Sequence, residues 1–388
     1  MKLEVVRAIA DIDAAGWDAF ANPEPAHLNP FLSHAFLKAL EDAACVGEGT
    51  GWLPRHLIMR DAAGGLAGIM PLYVKSHSQG EFVFDQGWAD AYQRAGGRYY
   101  PKLLSAVPFT PVPGARLLVG AGKDAEARAR LLAEGAIGLA RRLGVSSLHV
   151  TFPDEAQWKL LASMGFLQRT GQQFHWLNRG YATFDDFLGE LSSRKRKAVR
   201  KERAEAVAGA VEIDHVTGAA ITERHWDAMF GFYMDTGSRK WGRPYLNRAF
   251  FSRLGEVMAD RCLLVLARRE GRYIAGALNL VGGDCLYGRY WGAIEHQPFL
   301  HFELCYYQAI DFAIAQGLAR VEAGAQGEHK LARGYLPVPT YSAHWFADPA
   351  LESAVALFLE GERRHVAHTI EVLGDYAPFR KGPRTEDA

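Results

Sequence analysis

The chain has 388 residues, enough for two to three domains. Its 44 Lys and Arg balance 44 Asp and Glu, so no global field favours nucleic acid and any anion-binding surface must be local. Hydrophobic residues at 49% and charged residues at 23% exclude disordered, collagen-like and coiled-coil classes.

The first residues, Met1 to Arg7, carry charges where a signal peptide needs an apolar run, so a cytoplasmic protein is expected. Four cysteines without a C-x-x-C pair predict neither disulfides nor a zinc knuckle. Asn29 to Leu40 (NPFLSHAFLKAL) reads as a helix after a Pro turn, and LPRHLIMRDAAGGLAGIMPL from Leu53 as strand, turn, strand. Residues 80–116 gather Trp88, Tyr99, Tyr100 and Lys102 with several prolines, which predicts a stiff aromatic loop set. AIGLARRLGVSSL from Ala136 is an amphipathic helix stopped by Gly144 and followed by a strand.

Residues 181–208 read as helical, with SSRKRK from Ser192 placing Arg194, Lys195, Arg196 and Lys197 in one first turn. That is the electrostatically wrong helix end, costing about 0.3–1 kcal/mol per cation, so a compensating anion is expected. Beyond it come a strand at Val211 to Val216, helices at Ile221 to Tyr233 and Leu246 to Val257, and strands near Cys262, Ile274 and Cys285. A helix to Ala315, a strand at Leu318 to Glu322, a short helix at Glu328 to Arg333, a strand at Thr340 to Trp345 and a helix from Pro349 complete the chain. The most apolar stretch, His301 to Ala319, contains Glu303, Asp311 and Gly317, so no integral membrane span is expected.

Self-comparison shows one duplication. Asn29 to Leu40 aligns with Arg243 to Leu254, the hairpin from Leu53 with the one from Arg261, Ala136 to Leu148 with Ala309 to Val321, and His175-Trp176 with His344-Trp345, all in one order. The expected organisation is a first domain at 1–180 with the aromatic insert at 80–116, a basic helical junction at 181–208, and a second domain at 209–388.

The element order resembles the Gcn5-related N-acetyltransferase fold, duplicated as in the Fem peptidoglycan-crossbridge transferases. Five segments resemble the FemAB-like family of bacterial N-acyltransferases: NPFLSHAFLKALE from Asn29, YYPKLLSAVPFTPVPG from Tyr99, SSRKRKAVRKER from Ser192, HFELCYYQAIDFAIAQGL from His301 and EAGAQGEHKLARGY from Glu322. The resemblance implies an α/β protein with mixed sheets, two acyl-CoA N-acyltransferase folds in tandem, and no tightly bound cofactor. One departure is clear. Acetyltransferases of this superfamily hold the coenzyme A pyrophosphate with a glycine-rich loop, whereas Ala293 to His301 here contains no glycine.

Amide formation needs an amine, an activated carbonyl, a proton acceptor and donors facing the oxyanion. Glu328 at a helix start and His329, which titrates near neutrality, are candidate acceptors, with Glu303 a third. Glu322, Gln326 and Arg333 share the first cluster, and Gln308 lies five residues beyond Glu303. Gly288 interrupts the strand Cys285 to Trp291, which marks a bulge or close approach, and by alternation either Arg289 or Tyr290 faces the cleft. Trp88, Tyr99, Tyr100 and Lys102 are candidate substrate contacts, and Arg194 to Lys197 a candidate anion site. No metal-ligand spacing is present.

The resulting expectation is an N-acyltransferase acting in a cleft formed between the halves, with the second copy supplying most of the chemistry. It would use acyl-CoA or an acyl carrier protein thioester and acylate the amine of an amphiphilic envelope precursor such as a sphingoid base. Two alternatives stand beside it: Fem-like aminoacyl transfer from tRNA to a peptidoglycan precursor, and a non-catalytic envelope-recognition protein. The acceptor would be a small or lipid-linked amine, and the cationic helix is also a candidate for peripheral contact with the anionic inner membrane.

Overall fold

The computed structural model describes residues 1–240, 244–324 and 327–380. Its strands are β1 Lys2–Val6, β2 Trp52–Pro54, β3 His56–Arg60, β4 Leu66–Met70, β5 Tyr73–Lys75, β6 Lys102–Ser105, β7 Ser147–Thr151, β8 Leu167–Leu177, β9 Glu212–Thr217, β10 Cys262–Arg269, β11 Arg272–Val281, β12 Cys285–Ala293, β13 Arg320–Glu322 and β14 Leu336–Phe346. Both hairpins expected from the repeat form, for different local reasons. Between β3 and β4 the Asp61 carboxylate accepts from the backbone N–H groups of Ala63 and Gly65, each at 2.9 Å, closing an Asx-type turn. Between β10 and β11 the turn is Glu270-Gly271, both at positive φ, the geometry that suits a two-residue hairpin.

The chain divides into two compact units. The first comprises Met1–Gly171, Tyr245–Val257 and Pro339–Ala367, and the second Gln172–Pro244, Met258–Val338 and His368–Ala388. In the first, the helix Ala125–Leu143 ends at Gly144 in the left-handed conformation and buries Leu132, Ala133, Ala136 and Ala140 against Leu57, Met59, Leu148 and Val150. In the second, a helix over residues 300–315 buries Leu304, Tyr307, Ile310 and Ala313 against Leu263, Val265, Leu286 and Val321. Each such Leu, Ile or Val contributes about 1.5–3 kcal/mol relative to exposure.

The two units repeat one pairing order. In the first unit β5 and β6 are antiparallel, β6 and β7 parallel, and β7 and β14 antiparallel. In the second β11 and β12 are antiparallel, β12 and β13 parallel, and β13 and β8 antiparallel. This is a tandem acetyltransferase-like α/β fold. Its last strands are exchanged: His175 to Leu177, at the end of the first copy, pair with β13 of the second unit, and Ser342 to Phe346, from the second copy, pair with β7 of the first.

The unit boundaries therefore differ from the division at 1–180 and 209–388. Pairing between strands distant in sequence decides where β8 and β14 belong, and local pattern carries no such information. The 181–208 junction lies inside the second unit, as the helices Phe184–Glu190 and Ser193–Ala206. Residues 248–257 of the helix Arg248–Met258 belong to the first unit, where Phe250 packs edge-on to Phe36. The 80–116 insert is not all loop, since it contains the helix Gln86–Arg94 and β6. Among the described residues, no helix is long and apolar enough to cross a membrane.

Candidate active site

β12 and β13 stay paired only from Cys285–Tyr287 and Arg320–Glu322, after which β12 runs on to Ala293 while the chain beyond Glu322 turns away. The separation leaves a cavity of about 100 Å³ lined by Asn279, Gly288, Arg289, Tyr290, Cys305 and Tyr306, among others. A larger cavity of about 500 Å³ shares Trp291 and His301 with it and is walled by residues 293–302, Asp235 and Thr236. Every lining residue of both cavities belongs to the second unit.

Gly288 does mark a bulge. Asn279 faces Gly288 while Leu278 faces Tyr290, so Arg289 is the extra residue. The expected alternation is broken for that reason, and both Arg289 and Tyr290 line the small cavity. The side chain of Arg289 is buried; it donates to the Gly288 carbonyl at 2.9 Å and the Glu322 carbonyl at 3.4 Å and lies 3.7 Å from the Glu322 carboxylate, and its burial lowers its pKa. Glu322, also buried, is held by Arg320 at 3.3 Å.

The segment after Glu322 enters a short 3-10 helix over Glu328–Arg333, as the sequence predicts. Gln326 and the side chain of Glu328 lie outside the described residues. His329 is exposed, with Nε2 2.9 Å from the hydroxyl of Tyr306, which lines the small cavity. Lys330 is buried and donates to the Gly324 carbonyl at 2.9 Å. Burial brings its pKa down to about 7, with Arg289 contributing in the same direction, so near neutrality part of it is an uncharged amine. The repeat pairs Lys330 with Lys159, yet Lys159 is exposed beside Glu155.

Glu303 and Gln308 line neither cavity. A π-helical turn over Glu303–Tyr307 brings positions five apart onto one side, so Gln308 donates to Glu303 at 2.7 Å. That side faces the basic helix, where Arg203 binds Glu303 at 2.9 Å and Asp311 at 2.7 Å. Burial raises the pKa of Glu303 and Arg203 opposes the rise. Arg333 also turns away from the cavities. It holds both oxygens of Glu202 at 2.9 Å, caps the His329 carbonyl and lies over the Phe302 ring.

These contacts show how the Ser193–Ala206 helix is anchored: Glu202 and Arg203, five and six positions past the cationic turn, dock it on the 300–315 helix, and Val199 and Ala206 are buried. Arg194 and Lys197 remain exposed and Lys195 half-buried, with no carboxylate in ion-pair range among the described residues. Arg196 reaches the Leu191 carbonyl at 3.4 Å.

Trp88, Tyr99, Tyr100 and Lys102 fall in the first unit and line neither cavity. Lys102 is fully buried and donates to Ser78 at 2.8 Å, Glu81 at 2.7 Å and Asp85 at 2.5 Å. Tyr99 donates to Asp85 at 2.7 Å, and Tyr100 meets Ser78 at 2.7 Å. Trp88 packs edge-on to His344, itself 2.7 Å from His149. Burial opposes charge on Asp85, but Lys102 outweighs it and brings the pKa to about 2. These groups bind one another in a buried network, in which Glu81 Oε1 and Asp85 Oδ1 alone accept no hydrogen bond among the described residues. Where β6 and β7 would part in this unit, the fully buried guanidinium of Arg116 instead fills the space, donating to the carbonyls of Val112, Gly114, Ala115 and Thr151.

Tyr306 and Asn279 are cavity-lining residues that sequence reasoning missed. Tyr306 lies in the stretch His301 to Leu318, but a tyrosine in an amphipathic helix reads as core. Asn279, polar within an otherwise apolar strand, was the available signal.

A duplicated sheet order, a bulged strand and a cavity where the central parallel pair opens define a tandem acetyltransferase-like fold. The chain belongs to the FemAB-like family, described as acting in peptidoglycan biosynthesis and recognition, whose pattern matches residues 8–381. No curated protein matches the chain. Among solved structures, FemX is similar at 12% identity and a TM-score of 0.57, covering 92% of this chain and 100% of its own. The C-terminal domain of a putative lysylphosphatidylglycerol synthetase from Agrobacterium fabrum is similar at 10% identity and a TM-score of 0.52, over 91% and 97% of the two chains. L-PGS from Bacillus licheniformis follows at 9% identity and 0.50, over 91% and 98%. At such identities the likeness shows the fold.

Proposed function

We propose that the second unit forms an amide between an activated acyl donor and the amine of a cell-envelope precursor. The observation that carries this reading is the cavity at the β12 bulge, with Tyr306 and His329 in contact at its rim. In such a reaction the amine attacks the donor carbonyl, its proton passes to an acceptor, and the donor's thiol or ribose hydroxyl leaves with a proton. His329, bonded to Tyr306, is suited to accept the amine proton and return it to the leaving group. Glu328, at the start of the same short helix, is the second candidate base.

Two features bear on the donor. The loop at 293–301 has no glycine, and no Lys or Arg lines the large cavity among the described residues, so a tightly cradled coenzyme A pyrophosphate is disfavoured and a carrier-protein thioester fits better. The cations Arg194, Lys195 and Lys197, without carboxylate partners among the described residues, favour a second reading, transfer from aminoacyl-tRNA as Fem-like enzymes would require. The acceptor is a peptidoglycan precursor or an amino-lipid. Purified protein supplied with acyl thioester or with charged tRNA should release free thiol or deacylated tRNA only when an amine is present, and RNase abolishes only the second. Release of neither, across envelope amines, would leave a recognition protein.

A further inference from the structure

At the β12 bulge two hydrogen-bond acceptors, Asn279 Oδ1 and the Glu322 carbonyl, flank Gly288. Asn279 is 1% exposed, and its Oδ1 receives no hydrogen bond. The amide cannot profitably turn round, because its Nδ2 is directed at the Leu263 carbonyl, 3.4 Å away. A Cβ placed on Gly288, directly across the ladder, would stand 3.3 Å from Asn279 Oδ1 and 3.7 Å from the Glu322 carbonyl oxygen. Glycine at 288 therefore leaves both acceptors unshielded by a side chain from the cavity, with the Glu322 carbonyl already accepting from Arg289 Nη1 at 3.4 Å. Both Asn279 and Gly288 line the small cavity.

A buried acceptor without a donor costs about 1–3 kcal/mol, and an alkyl or acyl chain at this point would leave it unsatisfied. A group with two N–H bonds on one nitrogen satisfies Asn279 Oδ1 and takes the second lone pair of the Glu322 carbonyl, beside the bond from Arg289. The Arg289 guanidinium borders the same cavity and disfavours a second full positive charge there, so the nitrogen is best accommodated uncharged, the form that attacks a carbonyl. The cavity's 100 Å³ corresponds to about three waters at roughly 30 Å³ each, room for a primary amine and its first carbons.

We propose that the Gly288 void is a primary-amine subsite, with Asn279 Oδ1 and the Glu322 carbonyl as its two acceptors. The assignment rests on the amide-forming reading. The amine is either the acceptor's nucleophile or the α-amine of an aminoacyl donor, and simple probes separate these sources.

The full chain is titrated by ligand-observed NMR with ethanolamine, alanine methyl ester and methyl propionate. Ethanolamine carries an amine without an acyl group, and alanine methyl ester carries both. Methyl propionate has the same acyl frame as the alanine ester without nitrogen. The amine-bearing probes should bind at least tenfold more tightly than methyl propionate, with amine affinity rising between pH 7 and 8.5. Tighter binding of ethanolamine assigns the acceptor amine; binding of the alanine ester alone assigns the donor's α-amine. Asn279→Leu and Gly288→Ala should each abolish the tenfold preference, and should Gly288→Ala fold poorly, Asn279→Leu decides. Equal binding of methyl propionate, or an amine preference that survives Asn279→Leu, overturns the subsite. A protein that keeps the preference yet turns over no donor would refute the transferase reading and leave the subsite standing.

Discussion

Lys330 gives a stability prediction whose sign runs against intuition. Its amine is buried, and the folded state lowers its pKa from 10.5 to about 7. Between those values the unfolded chain binds a proton that the folded chain does not, so stability rises with pH across the window. Below about pH 7 both states are protonated and the full cost of burying the ammonium is felt. A pKa difference of about 3.5, at ~1.4 kcal/mol each, makes that cost roughly 5 kcal/mol, of which about 4 remains at pH 7.5. Lys330→Met removes the cost and forfeits the bond to the Gly324 carbonyl, worth about 1 kcal/mol. The variant should therefore be about 2–3 kcal/mol more stable than wild type at pH 7.5. Its advantage should shrink by about 1 kcal/mol per pH step and vanish near pH 10. Urea unfolding of both proteins at pH 7.5, 8.5 and 9.5 measures the difference directly. A variant less stable than wild type at pH 7.5, by an amount independent of pH, would mean that Lys330 stays charged and compensated in the fold.

Other outcomes follow from the same geometry. Arg203→Met strands the buried carboxylate of Glu303 and should cost about 3–5 kcal/mol in urea unfolding, largely recovered in the double variant with Glu303→Gln. Gly292→Ala places a Cβ 1.9 Å from the Phe232 carbonyl oxygen on the helix packed against β12, and should lower stability by about 3 kcal/mol or more, read as a fall in Tm. Glu328→Gln should reduce turnover at least tenfold, about 1.4 kcal/mol of transition-state stabilisation, with the unfolding midpoint unchanged; unaltered kcat removes Glu328 from the chemistry. Replacing Arg194, Lys195, Arg196 and Lys197 together by Gln should weaken binding to charged tRNA or anionic vesicles, with the wild-type binding falling as salt is raised. The same change should leave Tm undiminished, because it removes cations from a helix N-terminus.

Local pattern carried most of the elements and little of their connectivity. The Glu328–Arg333 turn, the stop at Gly144 and the bulge beside Gly288 each follow from residues adjacent in sequence, and each is present. Glu303 and Gln308 illustrate the opposite case. Their spacing of five puts them together only because the helix contains a π turn, and which way that shared side faces depends on Arg203, a hundred residues earlier. The alignment of Lys159 with Lys330 likewise holds in sequence and fails in environment, because a duplicated position keeps its place in the chain while its neighbours diverge.

The exchanged strands have a consequence for what can be cut from this chain. A fragment ending at residue 180 would carry β8 without β13 and would offer the edge of β7 with β14 missing; the remaining fragment would have the converse defects. Unpaired edges of this kind recruit whatever strand is at hand, so each half expressed alone should self-associate, and mixing the two should restore a soluble pair.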